Sequence, residues 1–309
     1  MSQKIVFMGT PNFAVPILKS IYQNGFEIPV VYTQPPKKSN RGQKMNKSPV
    51  HIISETLNLD IRTPLTLLNN KEEINFLKDL NFDLAIVVAY GQIIPNDILA
   101  VSKKGFINIH ASLLPKWRGA APIQRAIMNL DSETGISIIK INEKLDTGPV
   151  SNFYKTRILD NENSEELSSR LSNLATEKIL ENIDEIFEDN ANFIEQKESE
   201  ATYAKKIEKL EGKIDWNDDA KKIIGKINGL YPSPGAWFIF NGERHKVLKA
   251  MLSDSKDQAG MVLNENLEIA CGNNSLRILE IQREGKKTQK TNEFILGTKI
   301  KKGSNLNNV

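Results

Sequence analysis

Cysteine is almost missing from this chain: of 309 residues, only Cys271 carries a thiol. One cysteine cannot close an internal disulfide or build a Cys-based zinc cluster, and a reducing cytoplasm is the compartment to expect. Long hydrophobic runs are lacking too. None approaches the roughly 20 apolar residues that span a bilayer, which argues against a membrane partner. The opening "MSQKIVFMGTP" has too short an apolar core to read as a secretory leader. With 39% hydrophobic and 26% charged residues, the composition is that of a soluble globular protein rather than a disordered one.

The usual nucleotide signatures are also absent. "GTPNFA" follows the first apolar run, but only Gly9 could fill a glycine role there. Close approach to a pyrophosphate needs more than one such position. No G-x-x-x-x-G-K-[ST] occurs anywhere. A nicotinamide dehydrogenase and a P-loop enzyme are therefore both disfavoured. Asp-Thr-Gly at 146–148 is shared with aspartic proteases, which need two such carboxylates around one proton. A single copy in an α/β setting sets that reading aside.

What is present is alternation. "KIVFMG", "EIPVVYTQ", "IRTP", "FDLAIVVAYG", "GFINIHA" and "TGISIIKIN" read as buried strands, with helix-like stretches between them. This pattern predicts an open, parallel, Rossmann-like α/β sheet over 1–190, closed by a long amphipathic helix across 163–190 with Ser164 as its N-cap. Residues 35–49 show no apolar periodicity and read as a long loop. A polar linker covers 191–206. From 207 to 309, after one helix, short strand-forming segments with Gly and Asn turns predict a smaller β-barrel, OB-like in kind. Charge follows this division. Residues 1–203 hold 22 Lys and Arg against 25 Asp and Glu, whereas residues 204–309 hold 19 against 13. A basic second domain points to a polyanionic partner, although a solvated surface would look the same.

The chemistry concentrates in "NIHASLLPKWRGAAP" (108–122). Side chains alternate along a strand, which puts Asn108 and His110 on one face at its carboxyl end. Ligands gather at such ends in open α/β sheets. An imidazole exchanges protons near neutral pH, and an amide can donate to a developing oxyanion. Asp146, in the loop "EKLDTGPV" after the next strand, could orient the imidazole. The plain alternatives are a satisfied core histidine and an ordinary Asx turn.

Asn-x-His, then Ser-Leu-Leu-Pro-x-x-Arg-Gly, then Leu-Asp-Thr-Gly is a specific combination. On these motifs the sequence resembles the folate-dependent formyltransferases. The likeness extends through "FMGTPNFAVPIL", "TQPPKKSNRGQKMNKSPV", "VVAYGQIIP", "WRGAAPIQRAI", "YAKKIEKLEGKIDW" and "GKKTQ". The resemblance implies 10-formyltetrahydrofolate as formyl donor. As acceptor it implies the α-amino group of initiator methionyl-tRNA, with no metal and a chain acting as a monomer. Asn108, His110 and Asp146 would be the catalytic residues. Ser112, Leu113, Leu114 and Pro115, with the backbone of Val88, Ala89, Tyr90 and Gly91, would line the folate pocket. Lys37, Lys38, Arg41 and Lys44 of the basic loop, with Lys206, Lys286 and Lys287, would meet tRNA. Two rivals remain: a formyltransferase for a small amine, which needs no RNA-sized basic surface, and a non-catalytic RNA-binding protein, which leaves the polar trio unexplained.

Overall fold

The structure, a computed structural model, describes residues 3–39 and 44–307. Two compact units divide the chain. The first takes Met1–Gly119, Gly135–Thr156 and Ser168–Tyr203; the second takes Ala120–Thr134, Arg157–Leu167 and Ala204–Val309.

The first unit is built on a seven-stranded sheet. Its strands run, edge to edge, Val150–Arg157, Glu133–Lys140, Phe106–His110, Leu84–Val88, Ile5–Gly9, Val31–Tyr32 and Ile61–Arg62. Ile5–Gly9 and Leu84–Val88 are buried at every position. That is what an uninterrupted apolar run requires when both faces of a sheet are covered. Val6, Met8, Ala85, Val87 and Phe106 share one core with Leu77 of the helix Lys71–Leu80. Gly9 ends its strand because a Cβ there would stand 2.9 Å from the Ala14 Cβ and 3.1 Å from the Val88 carbonyl. Its role is close packing.

The sheet is mixed where the sequence predicts a parallel one. From Ile61–Arg62 to Phe106–His110 all pairings are parallel, but Glu133–Lys140 runs antiparallel to Phe106–His110. When both faces of a sheet are covered, apolar runs look alike in parallel and antiparallel partners, so the pattern does not fix strand direction. Within the second unit, helix Pro122–Met128 packs on helix Ala220–Gly229, where glycines at 225 and 229 admit Leu130 and Met128. The edge strand Val150–Arg157 was not expected from "VSNFYKTR", which has few apolar residues.

Two further readings are corrected. The long helix is Ser164–Phe187, but its cap is Asn163, whose Oδ1 accepts from the Glu165 and Glu166 amides while Glu166 Oε2 accepts from the Asn163 amide. Ser164 instead donates to the Tyr231 carbonyl at 2.6 Å. The stretch read as a loop carries a two-stranded antiparallel ribbon, Lys37–Ser39 with Lys44–Asn46.

In the second unit, strands Ala236–Phe240, Glu243–Ser253, Ser275–Arg283 and Glu268–Ala270 form an antiparallel sheet in that order, with Thr288–Lys290 also paired to Ser275–Arg283. "GMVLN" contributes single bridges, Met261 to Asn305 and Val262 to Ile269, rather than a strand. Trp216, Ile223, Ile227, Phe238, Val247, Ile278 and Phe294 fill the core beneath. Among the described residues, no helix is long and apolar enough to cross a membrane.

Candidate active site

Asn108 and His110 lie on the same face of Phe106–His110, as strand alternation requires. The strand is held in register on both sides, with Val87 beside Asn108 in the parallel partner and Ser137 beside His110 in the antiparallel one. Asp146 joins them from a loop that starts elsewhere than the sequence reading implied. Because Glu133–Lys140 is antiparallel, its carboxyl end lies beside Ile107, at the amino end of the histidine strand. Residues 141–149 then fold back over the sheet face. Asn142 stiffens this loop by accepting from the Lys144 amide and the Thr147 hydroxyl.

The Asp146 carboxylate is the hub of the site. Its Oδ1 accepts from Asn108 Nδ2 at 3.3 Å, and its Oδ2 accepts from the Gly119 amide at 2.8 Å. His110 Nδ1 stands 3.6 Å from Oδ2, with both side chains at least nine-tenths buried. The other ring nitrogen, Nε2, lies 2.9 Å from the Trp117 carbonyl. A carbonyl oxygen can only accept, so Nε2 bears a proton, and Nδ1 is the nitrogen left to exchange one. Trp117 adopts a left-handed φ of 61°, and its amide donates to the Thr202 hydroxyl at 2.9 Å. Strain of this kind persists only where surrounding bonds hold it, and here it aims a carbonyl at the imidazole.

The segments expected to hold folate leave the sheet at the same end. Val88 and His110 terminate neighbouring parallel strands. Past Val88, Ala89 is exposed with a φ of 47°, while the Tyr90 side chain turns into the core. The Tyr90 carbonyl accepts from Thr10 Oγ1 at 2.9 Å and from Gln34 Nε2, which also reaches the Gly91 carbonyl. Past His110, Ser112 is fully buried and serves the turn: its hydroxyl donates to the Lys116 carbonyl and its carbonyl accepts from Ser137. Ser137 Oγ in turn accepts from the Leu114 amide, with Leu114 buried and Leu113 and Pro115 part-exposed. Among the described residues, no group of three or more His, Cys, Asp or Glu is arranged to hold a metal ion.

Sequence reasoning missed the residues that hold the hub. Arg118 was part of a quoted motif without a role, and Gln196 belongs to no motif. Arg118 had one signal, an arginine beside Gly119 in a turn that follows a buried strand, and Gln196 had none. Of the cations assigned to RNA, Lys37, Lys206, Lys286 and Lys287 are exposed, and Arg41 lies outside the described residues. Lys47 of the same stretch is paired with Glu55. In the second unit, Lys249, Arg277 and Lys290 line a cavity of about 410 Å³ together with Glu280. No motif in the sequence marks these three cations.

An amide and an imidazole on one strand thus meet a carboxylate from a loop, beside two loops able to border a flat ligand. The chain belongs to the formyl transferase family: residues 3–183 match the formyl transferase domain and residues 206–299 the formyl transferase C-terminal domain. It is 64% identical to the methionyl-tRNA formyltransferase of Pelagibacter ubique over 310 residues, the whole of both chains. It is 42% identical to that of Brucella abortus (strain S19), across 97% of this chain and 99% of the relative. In fold it is similar to WlaRD, a sugar 3N-formyltransferase crystallised in the presence of dTDP and 5-N-formyl-THF. That likeness has a TM-score of 0.69 at 22% identity, covering 93% of this chain and 100% of the other.

Proposed function

We propose that this chain passes the formyl group of 10-formyltetrahydrofolate to the α-amino group of methionine on initiator tRNA, with Asn108, His110 and Asp146 as its catalytic residues. One observation carries the assignment of the site: three donors or proton carriers, from Asn108, His110 and the Gly119 amide, surround a single buried carboxylate. The folate would supply the formyl carbon. The residues present suit such a ligand, because two loops leaving adjacent strand ends, 88–91 and 112–115, offer backbone and apolar edges to a planar heterocycle.

The chain's own groups then divide the work. Asn108 spends one amide hydrogen on Asp146, which leaves the second free to hold negative charge growing on the formyl oxygen. The incoming amine must lose a proton as its nitrogen bonds to the formyl carbon, and the leaving nitrogen must gain one. Asp146 and His110 Nδ1 stand together as the pair able to take that proton and return it. The Trp117 carbonyl keeps the imidazole in the tautomer this requires.

On this reading the catalytic region is 1–190, the linker 191–206 and the RNA-holding domain 207–309, with residues 120–134 and 157–167 clustering in the second unit. Within the last, the exposed lysines and the cation-lined cavity support backbone contact with tRNA. The test is formyl transfer to charged initiator tRNA, charged elongator tRNA and small amino sugars, side by side. Initiator methionyl-tRNA should be formylated far faster than either. His110→Ala should lose about 100- to 1000-fold in single-turnover rate while remaining folded. Preference for an amino sugar would replace this reading with that of a small-amine enzyme.

A further inference from the structure

Arg118 is 1% exposed, yet it carries a permanent charge. Its guanidinium has two partners: Nη1 donates to Glu198 Oε2 at 2.8 Å, and Nε donates to Gln196 Oε1 at 3.1 Å. Beside this guanidinium, the Glu198 carboxyl is held below its ordinary range. An arginine cannot accept a hydrogen bond, and this fixes which end of the Gln196 amide faces it. The NH₂ group must point the other way. There it meets two acceptors, the Asp146 carbonyl at 2.9 Å and the Gly148 carbonyl at 2.7 Å. Both lie in the loop that carries the carboxylate hub. The neighbour of Arg118 in the chain, Gly119, donates its amide to the Asp146 side chain. One short segment thus grips Asp146 twice: directly at the carboxylate, and through Gln196 at the backbone.

We propose that Gln196 is a positioning residue for the transfer reaction, oriented by Arg118 and acting through Asp146. This rests on the catalytic role assigned to Asp146 above. The requirement is specific to an amide: one end must accept from a cation while the other donates to two carbonyls. A carboxylate at 196 would satisfy Arg118 but set negative charge against both loop carbonyls. The loop would shift, and Asp146 would leave its distance from His110 Nδ1 and Asn108. A displacement of about 1 Å at a reacting group costs on the order of 100-fold in rate.

Gln196→Glu should lower kcat by about 10- to 100-fold and leave KM for folate and tRNA within about 3-fold, since the Gln196 side chain is hydrogen-bonded to Arg118, Asp146 and Gly148 and to neither loop assigned to folate. The decisive readout is a double-mutant cycle with Asp146→Asn, in single-turnover formylation. In the Asp146→Asn background, Gln196→Glu should cost less than about 3-fold more, because its effect is already spent. Additive losses, or an unchanged kcat in the single variant, would overturn the proposal. If Gln196→Glu does not fold by circular dichroism, Arg118→Lys replaces it in the same cycle, with the same non-additivity expected, because one ammonium cannot hold Gln196 and Glu198 in fork geometry. Wild-type turnover of methionyl-tRNA is measured alongside: its absence defeats the functional reading, whereas its presence with an additive cycle defeats only the positioning role.

Discussion

Asp146 holds a backbone φ of 54°, a left-handed conformation that aspartate tolerates better than most residues. Two positions on, Gly148 is required for a different reason. A Cβ there would sit 1.7 Å from the Lys140 carbonyl oxygen and 3.0 Å from its carbon, where the loop returns to the sheet. The backbone on one side has to move to admit a methyl group. Gly148→Ala should therefore displace the loop, cutting kcat by about 100-fold and destabilising the fold by about 1–3 kcal/mol. Steady-state kinetics and thermal melting measure the two effects. Retained kcat with a lowered melting temperature would mean that the site is less dependent on loop placement than its hydrogen bonds imply. The Asp-Thr-Gly spacing thus has a steric basis: a bent carboxylate carrier, then a residue small enough to pass another strand's carbonyl.

In the second unit, three segments meet at one buried carboxylate. Glu268 opens the strand Glu268–Ala270. Its Oε1 accepts from Ser253, at the end of Glu243–Ser253, and from Ser275, at the start of Ser275–Arg283, while Oε2 accepts from Asn264. Burial alone would raise its pKa. The hydroxyls of Ser255, Ser253 and Ser275 and the Asn264 amide outweigh that and hold it at about 2. A carboxylate depressed in the folded state stabilises the fold above its unfolded pKa, and this contribution is lost as pH falls through the folded value. Glu268 should contribute about 3 kcal/mol above pH ~5, fading between pH ~4.5 and ~2. Denaturant unfolding at pH 6 and pH 3 should show a smaller difference for Glu268→Gln than for wild type; parallel losses would place the acid sensitivity elsewhere. No motif announces such a network. Local pattern does announce the strands: continuous apolar runs reveal Ile5–Gly9 and Leu84–Val88, and alternation reveals Phe106–His110 and pairs Asn108 with His110. Strand direction was hidden, because a buried apolar run reads the same whether its neighbour runs parallel or antiparallel. The polar edge strand Val150–Arg157 was hidden for a related reason, having only one well-covered face and so no strong apolar run. Asp146 was legible as a carboxylate in the loop after the next strand; that strand runs antiparallel, yet the loop still brings the carboxylate to Asn108 and His110.

For the molecule as a whole, the charge balance governs association more than stability. Residues 204–309 carry six more cations than anions, whereas residues 1–203 carry three more anions than cations. Much of that excess is placed where a polyanion could use it: Lys286 and Lys287 are exposed in the turn between Ser275–Arg283 and Thr288–Lys290, and Lys299, Lys301 and Lys302 are exposed near the chain's end. A surface that follows RNA phosphates releases counterions on binding, so affinity should fall linearly on a log–log plot against salt. With roughly 6–10 phosphate contacts the loss would reach about 10³- to 10⁵-fold between about 50 and 200 mM salt. Reversing Lys286 and Lys287 together to Glu should flatten the slope by about two and weaken every tRNA by a similar factor, since phosphate contacts do not read sequence. Folate binding should stay unchanged, because those lysines belong to the second unit and the loops proposed to hold folate belong to the first. Filter binding across a salt series, paired with a folate titration, tests both halves. An unaltered slope in the double variant would move the RNA footprint to other cations, with Lys249, Arg277 and Lys290 around the cavity the next to reverse.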